Sequence, residues 1–227
     1  MSALKAREAF TLERFLKDFV AGHDSTTTYK LLAKSIDAEE RLLLTAGPGS
    51  NIEEIVRKLE RLVMSEYNIA ICPNAGTWEA PFTVLGVGAV CTSILPRRRG
   101  QKKGPALPGV ALVHRPALNR LATQIGRGHL PAPSMILDVG DRLEICWLCR
   151  PIESWRLVST VECVQFDMIK RLKAGEALPA EKTFMQMPGT VNWQNPSGPF
   201  VVKTLQYFPS RVYSPYQFPA ASERAWF

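Results

Sequence analysis

No run in this chain approaches the roughly 18 to 20 apolar residues that span a bilayer, and its opening residues, MSALKAREAF, lack the apolar core of a signal peptide. A cytoplasmic location without a membrane segment is expected. Cysteine is sparse and odd in number, five in 227 residues, which reads as reduced thiols and not as a disulfide framework. Cys146 and Cys149 form a C-x-x-C, but residues three apart on a strand point to opposite faces. No second such pair completes a zinc site, and His23, His114 and His129 lie on separate segments. No G-x-S-x-G supplies a hydrolase nucleophile. The Gly-rich TAGPGSN stretch, Thr45 to Asn51, lacks the Gly-Lys-Ser/Thr ending of a P-loop; Ser50 followed by Glu53 reads instead as a helix capping box.

What is present is ordinary for a globular domain: 46% hydrophobic and 22% charged residues, enough chain to bury a substantial core. The net charge is +7, which favours an anionic partner. The charge is concentrated in PRRRGQKKGP, where Arg97, Arg98, Arg99, Lys102 and Lys103 crowd one Pro- and Gly-bounded loop. Like charges so close repel one another, so the segment is expected to be exposed and suited to gripping phosphates.

The apolar spacing from Leu4 to Val20 predicts an amphipathic helix stopped by Gly22. Asp24 and Ser25 suggest a cap for a second helix over Thr27 to Lys34, and Asp37 with Glu40 a third. A helix after Asn51 would bury Ile52, Ile55, Val56, Leu59 and Leu62. Strands are expected at Tyr67–Cys72, within Phe82–Ile94, at Ser134–Leu137, at Leu143–Leu148 and over Val191–Tyr207. Helices are expected at Pro116–Ile125 and Ser154–Ala174. This order suits an α+β domain, a central sheet flanked by helices, with an N-terminal helical segment.

Two stretches carry more specific information. FMQMPGTVNWQN, Phe184 to Asn195, places Pro188 and Gly189 in a sharp turn whose backbone N–H groups can point outward toward a phosphate. LPAPSMILDVGDRLEICWLCRP, Leu130 to Pro151, is an apolar strand, a Gly turn and a second apolar strand. Together they resemble the archaeo-eukaryotic primase superfamily, in particular the primase-polymerase domains of plasmids, phages and other mobile elements. Pro133 and Ser134 enter the strand, Gly140 keeps the turn, and Leu143 and Trp147 keep their spacing. Pro188, Gly189, Thr190 and Asn192 match the family's Pro-Gly-Thr-x-Asn. The resemblance runs from about Tyr67 to Phe218 and divides the chain into an N-terminal helical segment over 1–45, a primase-polymerase-like domain over 46–218 and a tail over 219–227.

The departures fall on the chemistry. Glu144 stands where the resemblance places the catalytic His, Val139 replaces a Ser and Gln186 an Arg. The strand expected to bear the family's metal-binding carboxylates, Leu85 to Ile94, bears none. The resemblance therefore implies a nucleic-acid-binding, primase-like replication protein of a mobile element whose site is degenerate and catalytically inactive or impaired, with no cofactor. Its partners would be DNA or an RNA–DNA end, held by the basic loop and by a nucleotide or phosphate turn at Pro188, Gly189, Thr190 and Asn192. The tail, which ends in Trp226 and Phe227, is the expected docking point for a replication-protein partner. Two alternatives stay open. One is an active primase-polymerase that uses Mg²⁺ or Mn²⁺ on displaced carboxylates, the candidates being Asp138, Asp141 and Glu144. The other is a protein-interaction subunit on the same scaffold.

Overall fold

Leu12–Ala21 forms α1, and its helical spacing buries Leu12, Phe15, Leu16 and Phe19 on one side. The structure, a computed structural model, describes residues 11–21, 29–36, 41–46, 49–73, 75–76, 84–86, 88–95, 110–149, 155–175 and 184–219. The two helices expected next are strands: Tyr29–Ser35 is β1 and Arg41–Ala46 is β2, paired antiparallel from Tyr29 with Ala46 to Lys34 with Arg41. Tyr29, Leu31 and Ala33 are buried while Lys30, Leu32 and Lys34 are less so. That is the period of a strand. The expectation rested on capping residues, and Asp and Ser serve turns as readily as helix starts.

Helix α2, Ile52–Met64, is capped by Asn51 and not Ser50: the Asn51 side chain accepts the Glu54 amide at 3.2 Å. Val56 and Leu59 are buried, with Ile52, Ile55 and Leu62 packed around them as the spacing predicts. The chain continues through β3 (Tyr67–Ile71), the short β4 (Ala75–Gly76) and β5 (Val84–Gly86), and β6 (Ala89–Ile94). Helix α3 spans Val110–Gly126, so Pro116 lies inside it instead of starting it. Proline there leaves one helical carbonyl without its usual donor. Next come β7 (Met135–Asp138), β8 (Leu143–Cys149) and α4 (Trp155–Leu172). They are followed by β9 (Met185–Gln186), β10 (Val191–Asn192), β11 (Phe200–Val201), β12 (Lys203–Tyr207) and β13 (Val212–Tyr213).

The helices and strands make an α+β fold with two larger sheets and two two-stranded ones, β4-β5 and β10-β11. One sheet runs β2-β1-β3-β9, antiparallel throughout; the other runs β12-β7-β8-β6, with β13 parallel to the end of β8. β8 is the hub of the second sheet, and all seven of its residues are buried. One face, with Cys146 and Leu148, joins a core made with α1, α2 and the first sheet. The opposite face, with Ile145, Trp147 and Cys149, packs on α3 and α4. The C-x-x-C cysteines thus lie on opposite faces, as the strand geometry requires. Trp147 anchors the helical side: its indole donates to the Pro131 carbonyl at 2.9 Å, and its ring meets Phe218 edge-on at 6.2 Å. Full burial of a large apolar side chain contributes about 1.5 to 3 kcal/mol.

Candidate functional site

The register of β6 against β8 sets Ser93 opposite Glu144 and Cys91 opposite Cys146, on the face turned to the first sheet. Glu144 is buried and fully engaged. One carboxylate oxygen takes the Arg142 Nε and Nη2 donors at 3.1 and 2.8 Å, and the other takes the Gln186 backbone N–H at 2.7 Å. This last bond ties the second sheet to β9 of the first. Burial pushes the Glu144 carboxyl above the ordinary carboxylate range, against the pull of Arg142 and the Gln186 amide. Burial disfavours the charge on Arg142, but the carboxylates of Glu144 and Asp141 outweigh it and raise Arg142. Asp141 accepts from Arg142 Nη1 at 3.1 Å. Arg142 is thus the bridge that neutralises both acids, and the Asp-Arg-Leu-Glu alternation was its only signal in the sequence.

Asp138 does not join them. Its neighbour Leu137 pairs with Glu144, and Asp138 faces the helical side, where one oxygen meets His114 Nε2 of α3 at 3.1 Å and accepts the Gly140 amide at 2.9 Å. Strand alternation thus separates Asp138 from Glu144, two of the three candidate metal carboxylates. Burial pushes the Asp138 carboxyl up, yet the hydrogen bonds from His114 and Gly140 and the charges of His114 and Lys203 together hold it below the ordinary range. A depressed carboxyl stabilises the fold above its unfolded value, about 3.9, and that contribution is lost as pH falls through the lower folded value. Urea titrations between pH 5 and pH 2 should therefore show a steeper acid loss for the wild type than for Asp138→Asn. Parallel curves would mean that the His114 contact does not stabilise the ionised acid.

Gly140 makes the β7–β8 turn possible. Its φ is +93°, and a Cβ there would sit 2.8 Å from the Phe200 ring and 3.1 Å from Asn195. Backbone strain and overpacking add, so Gly140→Ala should cost about 2 to 3 kcal/mol in urea unfolding. A loss below about 0.5 kcal/mol would mean that Phe200 moves freely.

The Pro-Gly-Thr turn is also drawn inward. Thr190 returns both its amide and its hydroxyl to the Met187 carbonyl at 3.2 and 2.7 Å. Pro188 and Gly189, at φ +79°, occupy the two central positions, the arrangement of a type II turn. The Gly189 amide donates to Val202 at 3.1 Å, and the buried Asn192 side chain donates to Val139 at 2.9 Å. The expectation that the turn's amides point outward is corrected at Gly189 and Thr190: the first is spent on Val202, between β11 and β12, and the second on closing the turn itself.

Sequence reasoning also missed a buried polar cluster beside Gln186. Asn68, on β3, accepts the Trp193 backbone N–H at 2.8 Å. Asn68 Nδ2, Gln186 Oε1 and Trp193 Nε1 are buried without hydrogen-bond partners. Such groups call for a ligand or water. The pairing of β3 with β9 through Ala70 and Gln186 and the bond from Trp193 to Asn68 bring these distant positions together. The basic loop, Arg97, Arg98, Arg99, Lys102 and Lys103, lies outside the described residues, as does the tail beyond Pro219. The last described residue before the loop is Leu95, following Ile94, which pairs with Leu143. β6 therefore ends at the edge of the sheet that carries Arg142 and Glu144.

No family model and no curated protein matches the sequence. Among solved structures, the chain is similar to the AEP domain of the cyanophage S-2L primase-polymerase, with a TM-score of 0.58 and 15% identity over 90% of this chain and 92% of that one. It is also similar to primase RepB', at 0.61 and 7% identity over 94% of this chain and 62% of that one. The catalytic domain of primase RepB' in complex with initiator DNA gives 0.60 and 7% identity over 93% and 92%.

Proposed function

We propose that this chain, which has the fold of archaeo-eukaryotic primase-polymerase domains of phage and plasmid origin, is a nucleic-acid-binding replication protein of a mobile element that does not transfer nucleotides. The observation that carries the reading is the state of Glu144, neutralised by Arg142 and held by the Gln186 amide. Two-metal phosphoryl transfer needs carboxylates free to hold Mg²⁺ or Mn²⁺. Here β6 offers Cys91 and Ser93, Asp138 serves His114 on the other face, and Asp141 is bound to Arg142. Among the described residues no three His, Cys, Asp or Glu side chains stand where they would hold a metal ion. The described donors around Glu144 thus support a reading without a metal centre.

Binding is supported by different residues. The +7 charge and the basic segment that follows β6 supply phosphate contacts. That one similar structure is described as a complex with initiator DNA makes DNA the first ligand to try. The test is binding of a labelled single-stranded oligonucleotide in EDTA across a salt series. Metal-independent binding that weakens steeply with salt supports the reading, and absence of binding at low salt removes it.

A further inference from the structure

We propose that Cys91 and Cys146 are a modification site: a pair of thiols that an oxidant of the peroxide class converts into a cross-strand disulfide. All five cysteines of the chain are thiols, but these two stand directly opposite on β6 and β8, with their sulfurs 3.1 Å apart. The backbone pattern places them well. The Cys149 amide donates to the Gly88 carbonyl at 2.8 Å, which makes that a hydrogen-bonded pair. Alternation along antiparallel strands then makes the pair three residues on, Cys91 with Cys146, a non-hydrogen-bonded one. Side chains of such pairs lie closest, with Cα atoms about 4.5 Å apart, inside the range a disulfide accepts. The sulfurs need to approach by about 1 Å to bond.

The two thiols differ in access: Cys146 is buried, whereas Cys91 is partly exposed. Cys91 is therefore the sulfur that meets the oxidant. Its thiolate attacks one peroxide oxygen, the O–O bond breaks, and the departing hydroxide takes up the thiol proton as water, leaving Cys91 as a sulfenic acid. Cys146 then displaces that hydroxyl, which leaves as a second water with the Cys146 proton. Two electrons and two protons pass from the thiols to the peroxide. The hydrogen bond with Cys146 and burial both push the Cys91 thiol well up, so the reaction should quicken as pH rises from 7 to 9. Ser93 and Glu144 lie two residues further along the same strands, so the bond would fasten the sheet directly beneath the candidate site. This inference goes beyond the proposed function and stands independently of nucleic-acid binding.

The test is peptide mapping of the intact chain treated with hydrogen peroxide, denatured, alkylated and digested without reductant. The expected product is one linked peptide pair containing Cys91 and Cys146, reversed by dithiothreitol and absent from Cys91→Ser and Cys146→Ser. Because the link closes a long loop, the oxidised wild type should also melt about 5 to 10 °C higher than the reduced protein. Full alkylation of both thiols after treatment, Cys91 ending as a sulfinic acid, or a link between other cysteines would each overturn the assignment.

Discussion

Glu144→Ala should destabilise the fold by about 3 kcal/mol or more, even though the residue performs no chemistry in this account. Breaking a buried ion pair costs about 3 to 5 kcal/mol because the surviving partner is left without its counter-charge. Here two groups lose their acceptor, the Arg142 guanidinium and the Gln186 amide. Arg142 keeps Asp141 and a partly exposed side chain, which places the expected cost toward the lower end. Glu144→Gln keeps an acceptor for the Gln186 amide and should lose about half as much, since the remaining hydrogen bonds are neutral. Urea unfolding reads both, with the midpoint falling and the slope unchanged. An alanine variant within about 0.5 kcal/mol of wild type would mean that the sheets are not joined through this side chain.

The second large effect concerns binding. Changing Arg97, Arg98, Arg99, Lys102 and Lys103 to Ala should weaken oligonucleotide affinity and flatten the dependence of log K on log salt. At about 0.7 to 0.9 per phosphate contact, the change in slope reaches about 3.5 to 4.5 if all five side chains engage. An unchanged slope would move phosphate binding to other basic positions.

The parts of the fold legible in the sequence were those whose signal is local. The amphipathic spacing of α2 and the apolar runs of β7 and β8 fall where periodicity places them, because burial on one face or both leaves a direct mark on residue order. So does the later part of the expected Leu4–Val20 helix, which forms α1 from Leu12 onward, while residues 1–10 lie outside the described residues. β1 and β2 were misread because caps and turns share residue types, and because the inward alternation of Tyr29, Leu31 and Ala33 is blurred by Leu32 on the other face. Pro116 was taken for a helix start since proline is at home there, yet α3 begins six residues earlier. At the site, Glu144 and the loss of carboxylates on β6 were legible as letters. Their consequence was not: the Gln186 amide lies 42 residues further along the chain from Glu144, and the His114 contact that turns Asp138 away spans 24. The Asn68 cluster depends on strand pairing across 116 to 125 residues, the longer span being the bond between Trp193 and Asn68. No local pattern announces such partners.

Primer extension tests the central claim most directly. The purified chain is incubated with a template, labelled nucleotides and Mn²⁺, beside oligonucleotide binding under the same conditions. The account predicts salt-sensitive binding and no template-dependent product, because Asp141 and Glu144 are already paired with Arg142 and Asp138 is hydrogen-bonded to His114. Template-dependent products that disappear in a Glu144→Gln, Asp138→Asn double variant shown to be folded would contradict it and assign these carboxylates to a working metal centre.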